Sequence, residues 1–366
     1  MSALFTPFKL KDITLRNRVA VPPMCQYSAV DGFANEWHQA HYANLARGGA
    51  GLVIVEATGV SPEGRISPAC LGLWQDEQID GLARIAKNIK AAGAVPGIQL
   101  AHAGRKASAN KPWQGDDHIA QNHPDAWQPI GPSDIAFGAH LSRQPEQMTI
   151  EDIARVQSDF VAAAKRALEA GFEWLELHFA HGYLASSFFS THSNKRNDAY
   201  GGDFSGRSRF LLETLSAVRS VWPDHLPLTI RFGVLEFDGA DEKSLIESVE
   251  LCRLFKEQGA DLMSVSIGFN TPEANIPWGP AFLAPVAQRI REQSKMPVAT
   301  AWGVDSPELA NKTIEAEQLD LVMVGRAHLA NPNWSYHAAK ALGVDKAAWV
   351  LQAPYAHWLD RYQPAG

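Results

Sequence analysis

Eight short segments rich in branched aliphatic residues, each followed by a stretch with helical spacing, predict an α/β chain closed as a TIM (β/α)8 barrel. Eight strand and helix units favour closure over an open doubly wound sheet. The long departure from that rhythm follows the third segment, where an insertion projects from the end of a barrel that carries chemistry.

The expected strands are 18–21, 51–57, 95–102, 173–179, 226–232, 261–267, 297–301 and 319–325. Between them lie candidate helices at 36–47, 76–92, 150–169, 207–221, 242–258, 282–293 and 307–315. Thr149 is a cap for the helix beginning at 150, with Asp152 at its third position, while Gly171 and Gly259 are stop signals. Residues 103–148 break the alternation with a segment full of Pro, Asp, Asn, Trp and Gly. Loops of that length act as lids or are irregular surface insertions, and its place after strand three favours the lid. No repeat, linker or low-complexity run divides the chain, so 1–366 reads as a single (β/α)8-barrel domain with a tail at 345–366.

A hydrophobic share of 46% is typical of a globular protein, and a formal charge of −7 offers no general attraction for nucleic acid or anionic membrane. Cys25, Cys70 and Cys252 are scattered and odd in number, which encodes neither a disulfide framework nor a metal or cluster motif. A cytoplasmic location follows. The N-terminus lacks a signal-peptide pattern, and no apolar run reaches the roughly 20 residues needed to span a bilayer. The chain is expected to be soluble and unprocessed. No Gly-x-Gly-x-x-Gly follows the first strand and no P-loop occurs, which removes two nucleotide-binding folds.

Chemistry concentrates at the strand ends. Alternation puts Trp174, Glu176 and His178 on one face of their strand and Leu175, Leu177 and Phe179 on the other. By the same parity Gln99 and Arg231 share the inward side with His178, so an amide, an imidazole and a guanidinium converge. They suit a ring with carbonyl and imide nitrogens, such as a flavin whose N1–C2=O edge gains negative charge on reduction. The competing reading pairs Arg231 with Glu176 or Asp238 as a structural ion pair. Ala301, Trp302 and Gly303 after strand seven, with Gly325 and Arg326 after strand eight, stand where such barrels hold a phosphate. His178 and His181 are three apart and face opposite ways in a regular strand, so they join only if the chain turns by Gly182.

Pro22-Pro23-Met24-Cys25-Gln26-Tyr27, the Gly-Gly-Ala-Gly-Leu run before Glu56-Ala57, and Gln99-Leu-Ala-His102-Ala-Gly-Arg105 resemble the Old Yellow Enzyme family of FMN-dependent ene-reductases. His178-Phe-Ala-His181-Gly-Tyr183, then Phe188-Phe-Ser-x-x-x-Asn194-x-Arg196-x-Asp198-x-Tyr200-Gly-Gly, and finally Gly325-Arg326 complete the set. The likeness runs from the first strand to the eighth, and is nearest to the bacterial subclass with Cys in place of Thr beside the flavin. It implies non-covalent FMN, reduced by NADPH or NADH, and hydride transfer from flavin N5 to an electrophilic alkene or nitro substrate.

Carried over residue by residue, the resemblance sets Pro23, Met24, Cys25, Ala57 and Gln99 along the flavin ring and Arg231 at its N1–C2 region. His178 and His181 grip the substrate carbonyl and Tyr183 delivers a proton, while 301–303, Gly325 and Arg326 hold the phosphate. The chemistry agrees: an enone takes hydride only if its developing enolate is stabilised, and a hydroxyl on the face opposite the flavin completes a trans addition. Cys25 has two readings, an inert buried thiol or a flavin contact that tunes potential or substrate binding. Tyr27 is a substrate hydrogen-bonding group or a packing aromatic. Trp302 shapes the pocket or simply fills space. Trp358, in the aromatic tail, implies by resemblance a homodimer or higher homo-oligomer in which it enters a neighbouring active site. A zinc hydrolase built on His178, His181 and His102 is the rival enzyme, and a non-catalytic flavin store the rival binding protein.

Overall fold

The computed structural model describes residues 2–362, and its eight parallel strands close into a barrel in chain order. They are β1 (Val19–Val21), β2 (Leu52–Gly59), β3 (Val95–Ala101), β4 (Trp174–Phe179), β5 (Leu228–Leu235), β6 (Leu262–Ile267), β7 (Val298–Thr300) and β8 (Leu321–Met323). β8 closes on β1 through Val322 opposite Val19 and Met323 opposite Ala20. All eight expected strands form; most ends are trimmed by one or two residues, while β2 and β5 run two and three residues past their expected ends.

Around them lie α1 (Glu36–Arg47), α2 (Ile79–Ala91), α3 (Ile150–Glu169), the short α4 (Leu184–Phe189), α5 (Phe204–Arg219), α6 (Asp241–Glu257), α7 (Ala284–Ser294) and α8 (Pro307–Glu315). α1, α3 and α8 match their expected limits. α5 begins three residues early because Asp203 accepts from the Gly206 N–H at 3.0 Å and supplies a cap that the reading from 207 passed over.

Parity sorts the core. Val53, Val55, Ile98, Leu100, Leu175, Leu177, Ile230 and Phe232 face the helices, while Leu52, Ile54, Trp174, Leu262, Leu321 and Met323 fill the barrel interior. A short antiparallel hairpin, Phe8–Leu10 with Ile13–Leu15, sends Phe8 and Leu15 into that interior cluster from the strand N-termini. Each such side chain contributes about 2–3 kcal/mol by leaving water. The lower barrel is therefore solid, and the polar positions are left for its other end.

One irregularity matters for the site. In β2 the pairing passes from Val55 opposite Ile98 to Ala57 opposite Gln99, leaving Glu56 as an extra residue. The bulge swings Glu56 out to Tyr42 of α1 and turns Ala57 to the inner face that strict alternation from Leu52 and Ile54 denies it.

The insertion is folded, with a two-stranded parallel pair at Ile130–Gly131 and Glu146–Gln147. Arg143 ties it together through Ser108 Oγ at 3.1 Å and the Trp127 carbonyl at 2.7 Å. Beyond β8 the sequence reading found no elements, yet α9 (Arg326–Ala330), α10 (Trp334–Ala341) and α11 (Ala353–Leu359) form. Residues 363–366 of the expected tail lie outside the described residues. No helix among the described residues is long and apolar enough to cross a membrane.

The expected cap on α3 is reciprocal: Thr149 Oγ1 accepts from the Asp152 N–H at 3.1 Å, and Asp152 Oδ2 from the Thr149 N–H at 2.9 Å. Thr149→Ala is expected to lower the unfolding free energy by about 1 kcal/mol. Denaturant titration at saturating FMN measures it, and an unchanged midpoint would show that the cap contributes nothing.

Candidate active site

The site begins where β4 stops. After Phe179 the chain leaves the strand, and His181 (φ 61°) and Gly182 (φ 68°) adopt the left-handed conformation, which is the turn that the His spacing requires. A non-glycine residue there costs about 1–2 kcal/mol, so the surroundings must hold it. The His181 N–H donates to Ile267 O at 3.1 Å, and Lys106 Nζ donates to both His181 O and Phe269 O at 2.8 Å. Gly182 is needed because a Cβ would sit 2.2 Å from Phe269 O and 2.8 Å from the Lys106 side chain. Burial lowers the Lys106 ammonium to about 7, and no sequence signal had marked this lysine.

The turn brings three rings together edge-on. The His178 and His181 centroids are 4.8 Å apart, His178 and Tyr183 5.0 Å, and His181 and Tyr183 6.2 Å. Burial, aided by Arg231 and Lys106, holds both imidazoles well below their usual pKa, so they are neutral. The Ala180 N–H donates to His178 Nδ1 at 3.3 Å, which places the single His178 proton on Nε2. Burial pushes the Tyr183 phenol well above its ordinary range. The cluster offers hydrogen-bond donors and one un-ionised hydroxyl.

Beside it runs a cleft. Pro23 and Met24 after β1, Arg231 of β5, Ala301, Trp302 and Gly303 after β7, and Gly325 and Arg326 after β8 all line it. Gly303 (φ 69°) passes so close to the Gly279 carbonyl that a Cβ would lie 2.5 Å from its oxygen. The expected phosphate loops thus share one cavity with Pro23, Met24 and Arg231 of the expected ring contacts, whereas Cys25, Ala57, Gln99 and His178 are not among its lining residues.

Beneath the cleft, Gln99 Nε2 donates to Glu176 Oε1 at 2.7 Å. Glu176 Oε2 and Arg231 Nε are buried without partners. The structural ion pairs weighed for Arg231 are not made: Glu176 bonds Gln99, and Asp238 Oδ2 lies 2.6 Å from His192 Nε2. Leaving a buried N–H unpaired costs about 1–3 kcal/mol, which fits a guanidinium built to meet the carbonyl edge of a bound ring. These residues fit FMN. Burial also raises the Glu176 carboxyl to about 7, against the opposing pull of Arg231.

Cys25 is half-buried, in contact with the cluster of Ile66, Cys70, Tyr27 and Tyr183, and burial raises its thiol well above the usual value. It is a thiol rather than a thiolate nucleophile. Tyr27 shares that cluster and meets Trp113 of the insertion edge-on at 5.8 Å. Trp302 joins Phe269, Trp278 and Phe282 in an aromatic wall, with its ring 6.2 Å from His181. His102 takes no part: its ring faces Gly64, and its Nδ1 accepts from the Gly104 N–H. Trp358 is not brought to the cleft; it stands 75% exposed on α11.

Two supports escaped the sequence reading. Glu56, displaced by the bulge, accepts from the Gln26 N–H at 2.8 Å and the Tyr42 hydroxyl at 2.9 Å, anchoring the Cys25–Tyr27 segment from behind. Ser266 of β6 lies 2.8 Å from His181 Nε2 and accepts from Trp302 Nε1 at 3.1 Å. Both residues act through contacts with other segments of the chain.

A parallel barrel with an unpaired guanidinium, glycine-lined loops after β7 and β8, and neutral donors beside one cleft defines a flavin-dependent oxidoreductase. Residues 3–344 match the NADH:flavin oxidoreductase / NADH oxidase family. An NADPH dehydrogenase of Bacillus velezensis is 39% identical, the alignment covering 93% of this chain and 96% of that protein. Morphinone reductase superposes with a TM-score of 0.78 at 27% identity, over 93% of this chain and 90% of its own, and has also been solved with tetrahydroNAD. In fold alone the chain also resembles 2-naphthoyl-CoA reductase, with a TM-score of 0.82 at 24% identity; 94% of this chain aligns, spanning about half (53%) of that longer protein. The chain belongs to the NADH:flavin oxidoreductase family of Old Yellow Enzyme type. Its cofactor is accordingly FMN and its reductant a nicotinamide nucleotide.

The Glu56 anchor has a pH signature. Burial raises its carboxyl from 4.5 to about 7, so between those values the folded chain holds a proton that the unfolded chain has released. Stability therefore falls as pH rises through that window. Glu56→Gln should lessen the slope of this part of the profile in denaturant titrations from pH 5 to 8, with Glu176, raised likewise, keeping its own share, and parallel wild-type and variant profiles would refute the assignment.

Proposed function

We propose that this enzyme is an ene-reductase that saturates the activated C=C bond of α,β-unsaturated carbonyls and related electron-poor xenobiotics, nitro compounds included. The observation that carries the reading is the edge-on trio of neutral His178, neutral His181 and un-ionised Tyr183 beside the Arg231 cleft. When bound, FMN supplies the electron pair, drawn beforehand from NADPH or NADH, for addition at the substrate β-carbon.

The chain's own residues do the rest. Pro23, Met24, Cys25, Ala57 and Gln99 border the ring, Arg231 meets its carbonyl edge, and Gly303, Gly325 and Arg326 receive the phosphate end. His178 and His181 donate two hydrogen bonds to the substrate oxygen, and these strengthen as that oxygen gains negative charge. Neutral imidazoles serve here because they stabilise the enolate without protonating it. Removing one donor of this kind costs about 10²–10³ in rate. Tyr183 then gives its proton to the α-carbon and is replenished from solvent.

Cys25, which with Tyr27 and Tyr183 packs against one cluster, supports a place in the Cys-containing bacterial subclass, nearest to xenobiotic reductase A. The insertion at 103–148, whose Trp127, Phe137 and Leu141 join the cluster around Cys25 and Tyr183, serves as the lid of a single catalytic domain. Exposed Tyr355, Trp358 and Tyr362 on and beside α11 are the surface for a second copy, with Trp358 completing the partner's site in a homodimer. Three free cysteines suit the cytoplasm.

Purified protein should be yellow, bleach with NADPH under anaerobic conditions and recover its colour on adding 2-cyclohexenone. A bleached sample that the enone leaves unchanged would count against alkene reduction. In stopped-flow traces Tyr183→Phe should slow enone reduction by about 10²–10⁴ while flavin reduction by NADPH stays near the wild-type rate. Equal loss in both half-reactions would remove Tyr183 from the proton-donor role.

A further inference from the structure

We propose that Ser266 is a positioning residue that fixes the tautomer of His181, so that Nδ1 carries the imidazole proton and points it at the substrate oxygen. Ser266 lies on the inner face of β6 with no exposed surface, and its hydroxyl has one hydrogen and two lone pairs. Trp302 Nε1, which can only donate, occupies one lone pair at 3.1 Å. The other group bonded to the Ser266 oxygen is His181 Nε2, at 2.8 Å.

Two arrangements satisfy that distance. In one, His181 donates from Nε2, and the Ser266 hydrogen is left buried with no acceptor among the described residues. In the other, the hydroxyl donates to a bare Nε2, and every hydrogen in the chain Trp302, Ser266, His181 has a partner. A buried unpaired donor costs about 1–3 kcal/mol, which selects the second arrangement. His181 is neutral and holds one ring proton, and that proton then sits on Nδ1, which has no hydrogen-bond partner among the described residues.

The same accounting at His178 gives the opposite result. There the Ala180 N–H occupies Nδ1, and the free proton is on Nε2. The two imidazoles therefore present opposite nitrogens, one set by a backbone amide and the other by a serine. This difference follows from the turn, because His181 has left the strand and no longer finds a backbone N–H two residues on.

The functional consequence rests on the proposed grip of the substrate oxygen by both imidazoles, whereas the tautomer does not. The test reads them separately. In the FMN-loaded enzyme labelled with ¹⁵N-histidine, long-range ¹H–¹⁵N correlation at neutral pH should show a protonated Nδ1 and a pyridine-like Nε2 for His181, assigned by loss of the signal in His181→Gln. His178 should show the reverse pattern and serves as the internal reference. Ser266→Ala should move His181 toward the Nε2-protonated form, and Ser266→Thr, which retains the hydroxyl, should restore the wild-type pattern. Wild-type His181 protonated on Nε2, or a pattern unchanged in Ser266→Ala, overturns the proposal.

Binding of a phenol to the oxidised enzyme, followed by its long-wavelength absorbance, should weaken by about tenfold in Ser266→Ala, equivalent to about 1.4 kcal/mol. A tautomer switch with unaltered phenol binding would uphold the assignment of Ser266 and refute the grip by His181.

Discussion

The left-handed turn at His181–Gly182 is the constraint on which the site depends. Within a strand, residues three apart point to opposite faces, and His178 and His181 would lie on opposite sides of the barrel wall. The turn reverses this and sets their rings 4.8 Å apart. One local hydrogen bond closes it, from the Tyr183 N–H to the Ala180 carbonyl at 3.2 Å, and its other ties come from distant segments. Its N–H is bonded to the end of β6, and its carbonyl to a lysine that follows β3. The pair therefore exists only when three strands of the closed barrel stand in register, which ties catalytic geometry to global closure.

Burial then sets the chemistry of the groups so placed. It suppresses charge on both imidazoles, keeps the Tyr183 proton in place and holds Cys25 as a thiol. Arg231 stands beside them as a guanidinium whose Nε–H is buried without a partner. A barrel optimised only for stability would have closed that bond with Glu176, which instead accepts from Gln99. Local rules of satisfaction are broken where a ligand is to be met, and the solid lower barrel, plugged by Phe8 and Leu15, offsets the cost. The same division explains why the apolar filling stops short of the strand C-termini.

Supports of a second kind are easily overlooked. Glu56 reaches the Cys25 segment only because a bulge expels it from the barrel face, and Ser266 reaches both His181 and Trp302 from a strand that contributes no other group to the His181 ring. Each is a polar residue in an apolar run, and sequence parity alone marks neither as part of a site. Their partners lie 30, 85 and 36 positions away along the chain.

The amino-acid order alone specified what short-range rules can encode. Branched runs and helical spacing located eight strands and the main helices, the Thr149 cap set the start of α3, and alternation put Gln99, His178 and Arg231 on one side of the wall. Spacing even required the turn at Gly182. Tertiary structure decided the rest, because each remaining feature is a relation between segments. The hairpin that plugs the barrel reads as an ordinary N-terminus until the interior exists to receive Phe8. Ala57 faces inward through a bulge whose cause is pairing with β3, and Lys106 acts on His181 across 75 residues of intervening chain. Periodicity reports which way a side chain points along its own strand; which strand it meets depends on closure.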